Sequence, residues 1–274
     1  SACLHHGLPM KPAATLSWAA DESAFELGGL RFIEVQKPPV EGDYEPGVDC
    51  FRFHKMKPLV DQYLVFLERA YGDTSPETVL ELGLFEGGSV PFWFELMGPK
   101  KHVGVDIQDR DDPPYLRDYV RERGLEDRIV NYWRTDQADA ARLNEICDAE
   151  FGARALDLVI DDASHLYAQS KSSFETLFPR LRPGGLYVIE DWAWYHWRGI
   201  EETFRGEIPL TKLITELTEA AGSSGVSLIE DLYTASGFVA VRRGATSRED
   251  LGSFRLDDWI YRHPGGGLRG RRRS

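Results

Sequence analysis

The chain has 274 residues, a net charge of −13 and an apolar fraction of 42%, the profile of a soluble globular protein with length for one large or two small domains. The negative balance argues against a general nucleic-acid surface and against docking on anionic lipid, which both need a positive footprint, and no apolar run approaches the roughly 20 residues of a membrane span. Cys3, Cys50 and Cys147 are too few and too widely spaced for a disulfide framework or a CxxC zinc site, and with no leader pattern they point to a reducing cytoplasm.

Residues 1–20 carry no clear periodicity, and residues 28–55 hold Gly28, Gly29, Pro38, Pro39, Gly42, Pro46 and Gly47, which reads as loop or short-strand material. Residues 1–57 are therefore expected to act as a lid or oligomerisation segment, with His54 an ordinary lid or interface histidine. Leu59, Tyr63, Phe66, Leu67 and Ala70 recur at helical spacing from about Pro58 to Tyr71. Thr78 to Leu82 reads as the first core strand, and a helix opens near Gly88 and Ser89, with Pro91 tolerated in its first turn. His102 to Asp106 reads as a second strand, Tyr115 to Arg123 as a helix, Arg128 to Trp133 as a third strand and Gln137 to Glu150 as a helix.

Leu156 to Ile160 is a fourth strand, followed by a helix from about Ser164 to Phe178, a turn at Leu181 to Gly185 and a fifth strand from Leu186 to Glu190. Strands alternating with helices predict a Rossmann-like, doubly wound α/β domain over residues 58–244, its sheet mostly parallel. Leu210 to Ala221 reads as a helix. Ser227 to Tyr233 and Phe238 to Arg242 face each other as a C-terminal antiparallel hairpin. Residues 245–274 read as an extension ending in a basic, solvated tail, Arg269 to Arg273.

The turn after the first strand is Glu81-Leu-Gly83-Leu-Phe-Glu-Gly87-Gly88-Ser89. Glycine there lets backbone approach a ligand, and the helix start offers free N–H groups. The dinucleotide fingerprint G-x-G-x-x-G fails, because Phe85 stands where its second glycine belongs, and no Gly-Lys-Ser/Thr follows to make a P-loop. Glu81 ends the first strand and suits a ligand with an amino group. Asp106 ends the second, at the distance usual for a ribose-binding carboxylate. Asp136 follows the third, where it suits an adenine amino group. A ligand with an amino group, a ribose and an adenine is S-adenosylmethionine.

The order Glu81-x-Gly83, Asp106, Asp136, Asp161 and Pro183-Gly-Gly185 resembles a class I S-adenosylmethionine-dependent methyltransferase with a seven-stranded sheet, over roughly Thr78 to Arg242. The runs Glu-Leu-Gly-x-Phe-x-Gly-Gly-Ser, Asp161-Asp162-Ala-Ser-His165 and Glu190-Asp191-Trp192 resemble the macrocin and mycinamicin sugar O-methyltransferases more specifically. The resemblance implies a cofactor site at Glu81, Gly83, Gly87, Ser89, Asp106, Asp136 and Asp161. It implies a Mg²⁺ site at Asp162, Glu190 and Asp191, and His165 as general base. It leaves the acceptor open.

The residues agree with that expectation. If strands four and five pair, up to four carboxylates converge, a self-repelling cluster that a divalent cation relieves. Oxygen ligands without cysteine suit Mg²⁺, with Mn²⁺ next in preference. A sugar hydroxyl is a weak acid, so a Lewis acid and an imidazole of suitable pKa both help. Asp161 reads as a cofactor-side acid that can exchange roles with Asp162, and either can simply cap the next helix. His196 is the alternative base. The run Asp191 to Arg198 is densely aromatic and reads equally as an acceptor-pocket wall or as a plug or subunit contact. The expected partners are a small-molecule or saccharide acceptor and a second copy in a homo-oligomer, with no nucleic acid and no membrane. A phenolic acceptor and a non-catalytic cofactor-binding subunit are the competing readings.

Overall fold

The computed structural model describes residues 16–36, 46–152, 155–224 and 227–262. The basic tail at Arg269 to Arg273, Cys3 and most of the Pro/Gly run around Pro38 and Gly42 lie outside the described residues.

The main sheet is built from β5 (Thr78–Leu82), β6 (Lys101–Val105), β7 (Ile129–Tyr132), β8 (Leu156–Asp161), β9 (Leu181–Glu190), β10 (Ile229–Thr234) and β11 (Phe238–Arg243). Its seven strands run in the order β10-β11-β9-β8-β5-β6-β7. β11 is antiparallel to both β9 and β10, while the β9-β8, β8-β5, β5-β6 and β6-β7 pairs are parallel. The predicted mostly parallel sheet with a terminal hairpin is therefore what the chain forms.

Each central strand is buried on both sides, which explains its continuous apolar runs. Alternate side chains go to opposite faces. In β8 and β9, Leu158, Ile160, Leu186 and Val188 join one apolar core. Val159, Tyr187 and Ile189 join the other. The first core is covered by α1 (Lys57–Tyr71), α2 (Ser89–Met97) and α3 (Pro114–Glu122); the second by α4 (Ala140–Glu150), α5 (Tyr167–Leu177) and α6 (Thr211–Ser224).

Boundaries moved where local chemistry competes. α4 begins at Ala140, three residues after the predicted start, because the Asp139 side chain accepts from the Arg142 N–H and caps it there. α5 begins at Tyr167, not Ser164, because His165 stands at φ 56° and cannot be helical. The predicted turn at Leu181 to Gly185 belongs to β9, which pairs Leu181 with Leu156 and then shifts register at a bulge before Leu186.

The described part of residues 1–57 forms a second sheet: β1 (Ser17–Trp18), β2 (Ala24–Leu27), β3 (Leu30–Glu34) and β4 (Cys50–Phe53), in that order. Phe25, Phe32, Phe51 and Phe53 are fully buried, and Phe25, Phe32 and Phe53 pack against Phe92 of α2 at centroid distances of 5.8, 5.9 and 4.7 Å. Burial of one such ring contributes about 1.5–3 kcal/mol. This sheet is thus fixed to the main domain through the first core. At the other end, α7 (Arg248–Leu251) and the turn after it bury Leu251, Phe254, Leu256 and Ile260 in the second core.

Candidate active site

In an open α/β sheet, ligands bind at the carboxyl ends of the strands, where the strand order reverses. Here that point lies between β5 and β8, since β6 and β7 extend the sheet one way and β8 and β9 the other. A cavity of about 580 Å³ opens there, lined by the ends of β5, β6, β8 and β9 and by residues after β4. Pockets of a few hundred Å³ are of cofactor and substrate size.

One half of the cavity is the glycine turn and the second and third strand ends. Gly83 stands at φ 90°, and a Cβ there would collide with the Asp162 backbone carbonyl, so only glycine lets β5 pass so close to β8. Asp106 lines the wall and accepts from the backbone N–H groups of Leu84 (2.7 Å), Phe85 (2.8 Å) and Gln108 (2.8 Å), which fixes the shape of the turn. Ser89 and Asp136 also line the cavity, and Asp136 is exposed. Phe85, at φ 52° and half exposed, lines the cavity and packs edge-on against His54 at 4.4 Å.

The other half is acidic. Asp162, Glu190, Asp191 and His165 line it together. Asp162, His165 and Asp191 each offer a ligand atom, all within 4.8 Å of one another. His165 Nε2 lies 3.8 Å from Asp162 Oδ1, and its ring rests against Trp194 at 4.5 Å. Burial pushes the Asp191 carboxyl up to about 7, and the Asp162 charge adds to that. Glu190, wholly buried, is pushed up to about 8 by burial and then by Asp162, with Lys55 offsetting part of the shift. Burial, aided by Lys55, lowers His165 from its ordinary value, and Asp162 opposes this. Carboxylates crowded until they resist ionising, with an imidazole beside them, fit a hard divalent cation.

Three predicted cofactor residues lie elsewhere. Glu81 does not line the cavity; it is wholly buried, accepts from Trp93 Nε1 at 3.0 Å and lies 3.4 Å from His102 Nε2. It faces a neighbouring helix and strand because alternation along β5 turns it into the layer beneath the site. Gly87 is outside the wall too; at φ 79° it closes the turn, its N–H on the Leu84 carbonyl, and Gly88 lines the cavity instead. Asp161 is 2% exposed and also outside the wall, where it accepts from Gln137 Nε2 (3.0 Å), Ser173 Oγ (2.9 Å) and Tyr187 OH (2.9 Å). Burial raises it to about 6 against those bonds. The choice between Asp161 and Asp162 at the cavity is thus made by the pleat: β8 ends on Asp161 pointing into the core, and Asp162 emerges into the cavity.

Two residues of the site escaped the sequence reading. Lys55, the second residue after β4, donates to Asp162 Oδ2 at 2.5 Å and to Glu190 Oε2 at 2.7 Å. Tyr63 of α1 donates to Glu190 Oε1 at 2.7 Å. The three clustered acids Asp162, Glu190 and Asp191 required a counter-charge; the sequence signal was there, but it pointed only to a metal ion. His196, the alternative base, lies outside the wall and contacts Thr211 Oγ1 at 3.2 Å. Of the aromatic run, Trp194 lines the cavity, while Tyr195 and Trp197 are exposed.

Residues 80–192 match the family described as "Methyltransferase domain". The chain is 33% identical over 166 residues to an 8-demethyl-8-alpha-L-rhamnosyl tetracenomycin-C 2'-O-methyltransferase of Streptomyces olivaceus, covering 58% of this chain and 38% of that protein. It is 36% identical over 128 residues to the mycinamicin VI 2''-O-methyltransferase of Micromonospora griseorubida, covering 44% of this chain and 28% of that protein. The chain thus spans roughly a third of the length of these curated relatives. Among solved structures, MycE methyltransferase in complex with Mg, SAH and mycinamycin VI superposes with a TM-score of 0.50 at 28% identity, over 70% of this chain and 50% of that one. With this strand order the chain has the class I methyltransferase fold, and its residues 80–192 are similar to a methyltransferase domain.

Proposed function

We propose that this protein is an S-adenosylmethionine- and Mg²⁺-dependent O-methyltransferase acting on a sugar hydroxyl of a glycosylated small molecule. The observation that carries this is the meeting, in one cavity, of Asp162, Asp191 and His165 with the glycine turn and the acids of the second and third strands. The relatives' named reactions support the acceptor class, and the MycE complex supports both cofactors. Gly83, Ser89, Asp106 and Asp136 would hold the nucleoside, with Glu81, Gly87 and Asp161 supporting the turn and strand end from beneath. Asp162, Glu190 and Asp191 would hold the cation.

When bound, S-adenosylmethionine supplies an electrophilic methyl carbon and Mg²⁺ a Lewis acid and template. The chain's residues do the rest. His165 Nε2 takes the proton from the acceptor hydroxyl. The deprotonated oxygen would then be the nucleophile for the methyl carbon that the cofactor would supply, with the sulfur as the leaving group. Lowered by burial, the imidazole is neutral at neutral pH and so able to accept. Trp194 fixes the ring's position, and the cavity wall sets the in-line approach on which such a displacement depends.

The test is methyl transfer from labelled S-adenosylmethionine to a panel of glycosides, free sugars and phenols, with Mg²⁺ and with EDTA. Transfer to glycosides that EDTA abolishes is expected, and His165→Ala should lower kcat by about 10²–10⁴-fold, the usual contribution of a general base. Transfer surviving EDTA, or near-normal kcat in His165→Ala, would sink the reading.

A further inference from the structure

Lys55 is 3% exposed, yet it belongs to no apolar layer and no solvent-facing stripe. Its ammonium spans the gap between β8 and β9, 2.5 Å from Asp162 Oδ2 and 2.7 Å from Glu190 Oε2, and stands 5.9 Å from the centre of the Trp93 ring. Tyr63 closes the remaining oxygen of Glu190. Two of the three carboxylates in the acidic half of the cavity thus share one ammonium, while Asp162 Oδ1 and Asp191 stay turned toward His165. Burial by itself would drive the ammonium toward neutrality, but the carboxylates outweigh it and its pKa is raised.

Charge decides what such a group does beside a cation. Asp162, Glu190 and Asp191 carry three negative charges when ionised; the ammonium cancels one, and a divalent cation matches the remainder. An ammonium and a divalent ion sharing the same carboxylates also repel each other, strongly so where water is excluded.

We propose that Lys55 is an internal counter-cation that holds the acid site assembled when no metal is bound and competes with the divalent cation for Asp162 and Glu190. It is a positioning residue: it acts on the reaction only through the carboxylates and the cation they hold. This rests on the divalent-cation reading above. It also gives the N-terminal sheet a role in the chemistry, since Lys55 is the second residue after β4, whose last residue, Phe53, is fully buried.

The experiment compares the full chain with Lys55→Gln, which keeps a hydrogen-bond donor and loses the charge, and with Lys55→Arg, which keeps the charge. Mn²⁺ affinity is read from the electron-spin-resonance signal of the free ion, and thermal melting is followed with and without Mn²⁺. The expected result is Mn²⁺ bound at least tenfold more tightly by Lys55→Gln than by the unaltered chain. Its melting temperature is expected to be lower without metal and to rise further when Mn²⁺ is added. Lys55→Arg should stay near the unaltered affinity. Equal or weaker Mn²⁺ binding by Lys55→Gln overturns the proposal. So does a Lys55→Gln chain that unfolds whether or not Mn²⁺ is present, because a divalent ion should replace the lost charge. If the unaltered chain binds no Mn²⁺ at all, it is the metal reading that has failed. If it binds and the variant does not differ, only the role of Lys55 has.

Discussion

His165, Asp191 and Phe85 all stand in left-handed backbone, at φ 56°, 53° and 52°, and all three line the cavity. Such conformations cost about 1–3 kcal/mol each in non-glycine residues and persist only where the surroundings impose them. At His165 the bend stops α5 from starting early and turns the imidazole back toward Asp162. That imidazole should govern the acid limb of the pH profile. Burial lowers its pKa from the ordinary 6.5, and only the neutral ring can accept a proton. Activity should therefore rise with pH through a midpoint below 6.5 and stay high at neutrality. The check is kcat/KM from pH 5 to 8 under saturating Mg²⁺; a midpoint above 6.5 would contradict it. Asp162 and His165 were legible in the sequence because their spacing is local. The division of labour between Asp161 and Asp162 was not, since neighbours in sequence point to opposite sides of a strand end.

At the scale of elements, short-strand material was expected over residues 28–55, but its pairing into a four-stranded N-terminal sheet was not. Its strands are two to five residues long, interrupted by glycine and proline, and they bury aromatic rings against a helix that lies later in the chain. Neither period nor length marked which of these residues would pair. The contact with α2 is close: a Cβ on Gly88, the residue before that helix, would collide with the Arg52 carbonyl of β4. Gly88→Ala should therefore destabilise the chain by about 1–3 kcal/mol, the usual cost of overpacking. It should also displace the segment that carries Lys55. Denaturant unfolding gives the first, and Mn²⁺ affinity measured on the folded variant gives the second. An unchanged midpoint and an unchanged affinity would show that the sheet tolerates the shift.

For the molecule as a whole, the buried acids should make metal-free stability fall with rising pH. Asp161, Asp191 and Glu190 are raised to about 6, 7 and 8 in the folded chain, from 3.8, 3.8 and 4.5. Folded values above unfolded ones mean that the folded state binds protons more tightly. The stability these groups contribute is then full below about pH 4 and lost as pH rises through about 6 to 8. Melting temperatures in EDTA should drop by several degrees between pH 5 and 9. Mg²⁺ should restore most of the loss at the upper end, because it binds the ionised carboxylates. A flat profile in EDTA would contradict this. Asp161→Asn should flatten the lower part alone, which separates the acid under β8 from those in the cavity.

The sequence by itself determined the class of fold, because apolar runs of strand length alternating with helical periods admit few other solutions. It also pointed to the two halves of the candidate site, since a glycine turn and acids at successive strand ends are local signals. Tertiary structure alone decided which of those residues reach the cavity. The pleat turned Glu81 and Asp161 into the core, and packing of a sheet from the far N-terminus brought Lys55 between Asp162 and Glu190. Local spacing is written along the chain, whereas side-chain facing and long-range charge pairing exist only once separate segments have packed together.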